Sequence, residues 1–233
     1  MQIGIFYVGD IPAYAHLGGL AAAVCKQSMP DVEVVHLTDM DTKPLENVDK
    51  VNRLEKDCPL AVFRMKHHQT RGEWLFIDVD VLVLKDVSDI FYEGFDIAVA
   101  SRVPGDGADH EGFREMPHNM GVVFSRSPAF WRDVERELLT YDAKMQEWMG
   151  DQLAMCRTMK KWIYRAKILK GEIYNFPPNS PDQDTSNVAI LHMKGARKKW
   201  MAKYASISDV KQYDSQCLER NQIDEPKSNT YAH

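Results

Sequence analysis

Two carboxylates interrupt an apolar run at residues 74–84, Trp-Leu-Phe-Ile-Asp-Val-Asp-Val-Leu-Val-Leu. Burying a charge is costly unless it is paired or coordinated, and two carboxylates on one face repel unless a cation sits between them. On a strand, residues two apart share a face. The run therefore reads as a single strand, buried on both faces of a parallel sheet, that leaves the core and presents Asp78 and Asp80 to a divalent metal. The spacing alone is not diagnostic, because Asp39/Asp41 and Asp182/Asp184 repeat it. Those two pairs lie among Thr, Lys, Pro and Ser, where Asp is an ordinary turn former. Only the middle pair comes after four apolar residues.

Other residues invite the same question. His192 ends the apolar stretch from Val188 and is followed by Lys194, Gly195, Lys198 and Trp200. A histidine after four apolar residues is often a satisfied core residue, but this position suggests a ligand beside an anion-binding loop. In Asn119-Met-Gly121 the glycine permits close backbone approach, and the amide can bond a sugar hydroxyl from either end. Arg64 and Lys66, in the apolar-punctuated segment 60–68, either face a crevice and meet phosphates or line a solvated helix face. Gly150-Asp151-Gln152 opens a helix for which Asp151 is a candidate cap.

The elements that must position these residues alternate between strand and helix. Residues 2–8 read as a strand ending in the turn signal Gly9-Asp10-Ile11-Pro12, residues 16–27 as a helix, and residues 32–37 as a second strand. That order implies a parallel crossover. Ligands of open sheets collect beyond the carboxyl ends of the strands, here Tyr7 to Asp10 and the end of the Asp78/Asp80 strand. Residues 39–58 read as irregular, 60–68 as a helix, 95–101 and 119–125 as strands, and 128–140 as a helix opened by Ser127-Pro128. The glycine-rich stretch 104–110 has the composition of a lid or of a surface excursion. From about residue 206 polarity rises, so residues 1–205 are expected to form the domain. Residues 206–233 are expected to be a polar tail with no part in the chemistry.

A chain of 233 residues, 44% hydrophobic and 27% charged, suits one sizeable globular domain. Its net charge of −5 gives no bulk attraction to nucleic acid or an anionic membrane, and the basic stretch Lys194 to Lys203 is a local exception. Four scattered cysteines without a Cys-x-x-Cys pair suggest reduced thiols. No signal-peptide pattern opens the chain and no run is long enough to span a bilayer, which together point to the cytoplasm.

In order, Phe76-Ile-Asp-Val-Asp-Val-Leu-Val, Asn119-x-Gly121, Gly150-Asp151-Gln152 and His192-x-x-Gly195-x-x-Lys198-x-Trp200 resemble the retaining glycosyltransferases of family 8, the glycogenin and bacterial galactosyltransferase group. The resemblance implies a GT-A fold: an α/β single domain with a Rossmann-like mixed, mainly parallel sheet flanked by helices. It implies that Asp78, Asp80 and His192 hold Mn²⁺, or Mg²⁺ in its place, against the diphosphate of a nucleotide sugar, usually UDP-linked. Carboxylate and imidazole suit such an ion. By the same resemblance Gly195 and Lys198 contact the diphosphate and Asp10, beside Tyr7, lies near the nucleobase. Arg64 lies near the sugar and phosphates, and Asn119, Gly121, Asp151 and Gln152 line the donor sugar. Gln152 falls near the reactive face, and Asp151 is the candidate nucleophile if the mechanism is covalent. The acceptor is open: glycan, lipid-linked saccharide, protein or modified nucleic acid.

Two other classes fit part of the pattern. A strand ending in Asp-x-Asp also resembles haloacid-dehalogenase-like phosphatases, with Asp78 attacking phosphorus and Asp80 as acid/base, but that motif usually opens the chain. A non-catalytic nucleotide-sugar binding protein would keep the same residues. A nucleotidyltransferase is disfavoured, because no glycine-rich phosphate loop comes after the first strand.

Overall fold

The computed structural model describes residues 1–103 and 113–205. The candidate lid at 104–110, the expected tail at 206–233 and Cys217 lie outside the described residues. Cys25, Cys58 and Cys156 are free thiols.

A seven-stranded sheet organises the chain. The first strand, β1 (Gln2–Phe6), is followed by helix α1 (Pro12–Ser28), β2 (Glu33–Thr38) and β3 (Lys50–Arg53). Helix α2 (Leu60–His68) returns the chain to β4 (Trp74–Ile77), and then come β5 (Val81–Val83), β6 (Ile97–Ser101) and β7 (His118–Ser125). Helices α3 (Pro128–Leu138), α4 (Ala143–Glu147) and α5 (Gly150–Met159) precede β8 (Ala166–Leu169). A short α6 (Gly171–Tyr174), β9 (Ile190–His192) and α7 (Met201–Ala205) complete the described chain.

The main sheet runs β3-β2-β1-β4-β7-β6-β8, while β5 and β9 form a separate two-stranded sheet. Its pairings β1–β2, β1–β4, β2–β3 and β6–β8 are parallel, whereas β7 is antiparallel to both β4 and β6. The sheet is thus mixed and mainly parallel, as expected. From β1 the chain first builds outward through β2 and β3, then crosses back to lay β4 on the other flank of β1. That reversal makes a crevice at the carboxyl ends of β1 and β4.

Alternation along the strands divides the core into two layers. Ile3, Ile5, Leu75 and Ile77 face a cluster with Leu17, Leu20, Ala21 and Val24 of α1. Trp74 and Phe76 point the other way, into a cluster with Met65 of α2, Phe130 and Trp131 of α3, and Met155 of α5. Burying such a side chain contributes roughly 1.5–3 kcal/mol. Ser127 caps α3 as its sequence announced, accepting the Phe130 N–H at 3.2 Å with Pro128 in the first turn.

Several expectations need correction. The irregular segment 39–58 contains β3, the first strand ends at Phe6 rather than residue 8, and α1 begins at Pro12 rather than 16. Residues 74–84 are not one strand. The chain turns at Asp78-Val79-Asp80 and continues as β5, which belongs to the other sheet. A strand covered on both faces has nowhere to solvate two acids so close together, so the regular ladder stops where they begin.

Candidate active site

The turn that ends β4 builds the site. The Asp78 N–H donates to the Gly121 carbonyl on β7 at 3.0 Å, and the Val81 N–H closes back onto the Asp78 carbonyl at 3.2 Å. β5 then pairs antiparallel with β9, with Val81 opposite His192, and the Met193 N–H donates to the Asp80 carbonyl at 2.8 Å. Convergence of the two acids therefore comes from a turn and a cross-strand pairing, not from strand alternation.

Asp78, Asp80 and His192 each offer one ligand atom, and these atoms lie within 4.8 Å of one another. His192 Nε2 is 3.2 Å from Asp80 Oδ1 and 3.9 Å from Asp78 Oδ2. The other ring nitrogen, Nδ1, is 2.9 Å from Asn175 Oδ1. Both ring nitrogens thus face oxygen acceptors, yet a neutral imidazole carries a single N–H. With Nδ1 directed at Asn175, Nε2 is left to ligate, and two carboxylates with an imidazole are a donor set for a divalent cation. The residues fit a divalent ion.

Cationic side chains flank the acids. Arg64 of α2 lies on the Trp74/Phe76 side of the sheet, the side to which Asp78 projects. It donates through Nη2 to Asp78 Oδ1 at 2.6 Å and to the Met120 carbonyl at 3.1 Å, and Nη1 is 3.6 Å from Asp151 Oδ2. The Lys198 ammonium is 3.1 Å from Asp80 Oδ2. Burial alone would raise the Asp80 carboxyl, but the neighbouring His192 and Lys198 outweigh it and hold the group well below the ordinary carboxylate range. Asp151 goes the other way: burial pushes it up, Arg64 only partly offsets this, and the Asp78 charge adds to the rise.

Gly121 is required by close approach. A Cβ there would collide with His192 Cε1 and would lie 2.6 Å from Asp78 Oδ2 and 2.9 Å from Asn119 Oδ1. The Gly121 N–H donates to Asn119 Oδ1 at 2.8 Å. The Gln152 amide is turned toward β7: Oε1 accepts from the Met120 N–H at 3.3 Å and from Asn119 Nδ2 at 3.4 Å. Asp151 does not cap α5. The capping position belongs to Met149, in the left-handed region at φ 67°, which makes no side-chain cap bond. Asp151 instead sits in the first turn, where its Oδ1 accepts the Gln152 N–H at 2.8 Å. A tight turn delivers both residues, since a Cβ on Gly150 would strike the Met145 carbonyl.

Tyr7 lies just past β1, its hydroxyl donating to the Ile11 carbonyl at 3.0 Å and its ring stacked near His36. Gly9, at φ 126°, is tied to the next strand end through its N–H to Thr42 Oγ1 at 2.8 Å, and the neighbouring Asp10 is exposed. Gly195, at φ 59°, opens a 3-10 turn that carries Lys198 back toward Asp80. Asp78, Asp80, His192, Arg64, Asp151 and Lys198 are joined in one chain of contacts, with Gly121, Asn119 and Gln152 behind them. Asn175, buried against the imidazole, was missed by sequence reasoning. It lies in Tyr174-Asn-Phe-Pro-Pro, which reads as an ordinary loop, and no local signal links it to His192.

No protein-family model matches the chain, and no curated protein matches it. Solved structures do. The galactosyltransferase LgtC, in complex with donor and acceptor sugar analogs, aligns over 91% of this chain and 98% of its own at TM-score 0.59 and 12% identity. The glycosyltransferase GlyE of Streptococcus pneumoniae TIGR4 aligns over 94% of this chain and 62% of its own, at TM-score 0.62 and 16% identity. A glycosyltransferase involved in glycosylation of the PBCV-1 major capsid aligns over 86% and 98%, at TM-score 0.55 and 16% identity. At such identities the likeness establishes the fold: this chain has the GT-A fold of these glycosyltransferases.

Proposed function

We propose that this chain is a metal-dependent retaining glycosyltransferase of the family 8 type, which moves a sugar from a UDP-linked donor to an acceptor hydroxyl. The observation that carries the reading is the group Asp78, Asp80 and His192, with ligand atoms within 4.8 Å of one another, at the crevice of a fold shared with glycosyltransferases. A divalent ion, Mn²⁺ or Mg²⁺, held by these three would supply positive charge against the diphosphate as it departs.

The remaining roles belong to the chain itself. Lys198, 3.1 Å from Asp80, and the backbone at Gly195 bind the diphosphate, the lysine as a point charge. Asp10, with Tyr7, bounds the nucleobase end of the crevice. Arg64 neutralises Asp78 and Asp151 and borders the donor sugar. Asn119, Gly121, Asp151 and Gln152 line that sugar. A covalent mechanism would need Asp151 as the nucleophile, but its carboxylate is already engaged by Arg64 Nη1 at 3.6 Å and by the Gln152 N–H at 2.8 Å. This favours front-face displacement: the acceptor oxygen attacks the anomeric carbon, the bond to the diphosphate oxygen breaks on the same face, and the acceptor proton passes to the departing diphosphate. The phosphatase alternative leaves the motif from His192 to Trp200 without a role. We assign the catalytic unit to residues 1–205, with residues 206–233 as a tail, and place the protein in the cytoplasm. No helix among the described residues is long and apolar enough to cross a membrane.

The test is a panel of nucleotide sugars after EDTA treatment, with and without Mn²⁺, read by thermal shift and donor hydrolysis. A UDP-sugar should raise the melting temperature only with metal present, by mass action, and Asp80→Ala should abolish both signals. Metal-independent turnover, or turnover by Asp80→Ala, would overturn the proposal. Donor binding without transfer to any acceptor would favour a binding protein instead.

A further inference from the structure

We propose that Asn175 is a positioning residue that fixes the tautomer and aim of His192, and thereby sets the affinity of the Asp78, Asp80 and His192 group for a divalent cation. The inference rests on reading that group as a metal site. Asn175 is completely buried and its Oδ1 lies 2.9 Å from His192 Nδ1. An amide oxygen can only accept, so the contact keeps the proton on Nδ1 and leaves the Nε2 lone pair facing Asp80 and Asp78. A histidine that ligates a metal through one nitrogen needs this arrangement at the other.

The backbone holds the pair in place. The Asn175 N–H donates to the Gly171 carbonyl at 3.0 Å, which anchors it at the end of α6. Its neighbour Phe176 bridges to Leu191, and the His192 N–H donates to the Phe176 carbonyl at 2.9 Å. Amide and imidazole therefore sit on adjacent segments held in register by the bridge, one residue short of it and one beyond it. On the opposite side the missing side chain at Gly121 lets the ring edge approach β7, as a Cβ there would collide with Cε1.

A second observation argues against a packing role. Asn175 Nδ2 is buried and meets no partner among the described residues. An unsatisfied buried donor is a liability that an apolar side chain of similar size would avoid. The residue is thus a poor choice for stability alone, and its one satisfied atom is the one that touches the imidazole.

The experiment is a Mn²⁺ titration of the metal-stripped protein, followed by the electron paramagnetic resonance signal of the free ion, together with thermal unfolding in EDTA. Wild type, His192→Ala, Asn175→Leu, Asn175→Ala and Asn175→Asp are compared. Asn175→Leu and Asn175→Ala should bind Mn²⁺ about 10–100-fold more weakly, with the metal-free melting temperature of Asn175→Leu unchanged or raised. Asn175→Asp keeps an acceptor and should bind within a few fold of wild type. Asn175→Ala carries the test if the leucine variant does not fold. Wild-type affinity in the variants lacking the acceptor, or equal weakening in Asn175→Asp, would overturn the inference. If wild type binds no Mn²⁺, or His192→Ala binds as wild type does, the metal reading itself fails and this inference goes with it. If only His192→Ala loses the ion, the metal reading stands and the role of Asn175 falls.

Discussion

Substituting alanine at Gly121 perturbs the site at its narrowest point. The φ angle at Gly121 is negative, unlike Gly9, Gly72 and Gly195, so the backbone itself accepts an L-residue there. The added atom is the obstacle. A Cβ would sit 2.6 Å from Asp78 Oδ2 and closer still to His192 Cε1, against an ordinary van der Waals separation of ~3.5 Å. Two of the three ligands must therefore shift by about 1 Å, whereas metal–ligand distances tolerate about 0.2 Å. Neither ligand retreats easily: Asp78 is held by Arg64 at 2.6 Å and His192 by Asn175 at 2.9 Å. Overpacking of this kind costs about 1–3 kcal/mol of stability, and misplacement by 1 Å costs about 100-fold in a reaction that depends on position. Gly121→Ala should then melt a few degrees lower, bind Mn²⁺ at least tenfold more weakly and lose about 100-fold in donor hydrolysis. Gly94→Ala is the control, because its Cβ would meet only the guanidinium end of Arg165, at 3.2 Å. Mn²⁺ affinity within twofold of wild type and an unchanged melt for Gly121→Ala would refute the convergence of the three ligands.

Other perturbations draw on the same contacts. Arg64→Leu leaves Asp78 and the buried Asp151 without their shared counter-charge and should cost about 3 kcal/mol near pH 7. The Asp151 carboxyl is already raised, so in the variant it takes up a proton at low pH. The loss should therefore grow as pH rises from 4, and a pH-independent loss in denaturant melts would contradict this. Burial lowers His36 and His67 to about 4 and His68 further. A neutral His36 also satisfies both its contacts, Nε2 donating to the Tyr7 carbonyl and Nδ1 accepting the Leu45 N–H. The unfolded chain binds these protons first, so stability is full above about pH 6.5 and falls on acidification, by roughly 2 kcal/mol per histidine at pH 5. Equal denaturant midpoints at pH 7 and pH 5 would refute it.

The central strands were legible because burial on both faces writes itself into the sequence. β4 and β6 are near-continuous apolar runs, and the order of strand and helix around them pointed to the crossover from β1 to β2. The edges were not. β3 reads Lys-Val-Asn-Arg and β8 reads Ala-Lys-Ile-Leu, and a strand paired on one side only, with half-exposed side chains, needs no apolar pattern to form. The break at Asp78 was invisible for a different reason: it carries neither glycine nor proline, and Val81-Leu-Val looks the same in a second sheet as in a continuation of the first. Asp151 was misread because an acid beside the first turn of a helix is ordinarily its cap. Here a left-handed Met149 takes that place, and the acid is turned toward Arg64.

The placement of the metal group is set by where regular structure runs out. Beyond Ile77 the sheet can no longer supply backbone partners on both sides, so β4 gives way to a turn just as the first acid appears. The chain must then find another partner, and β9 provides one, bringing His192 alongside Val81. Because the pairing joins segments so distant in sequence, each half looks unremarkable alone: an apolar run with two acids, and an apolar run ending in histidine. Their register on β5 and β9 turns them into one cluster. Arg64 reaches that cluster from the opposite layer of the core, since alternation sends Trp74, Phe76 and then Asp78 toward α2. The site thus draws on both layers and both sheets, so that loosening any one of these elements should be felt first in the spacing of the two carboxylates and the imidazole.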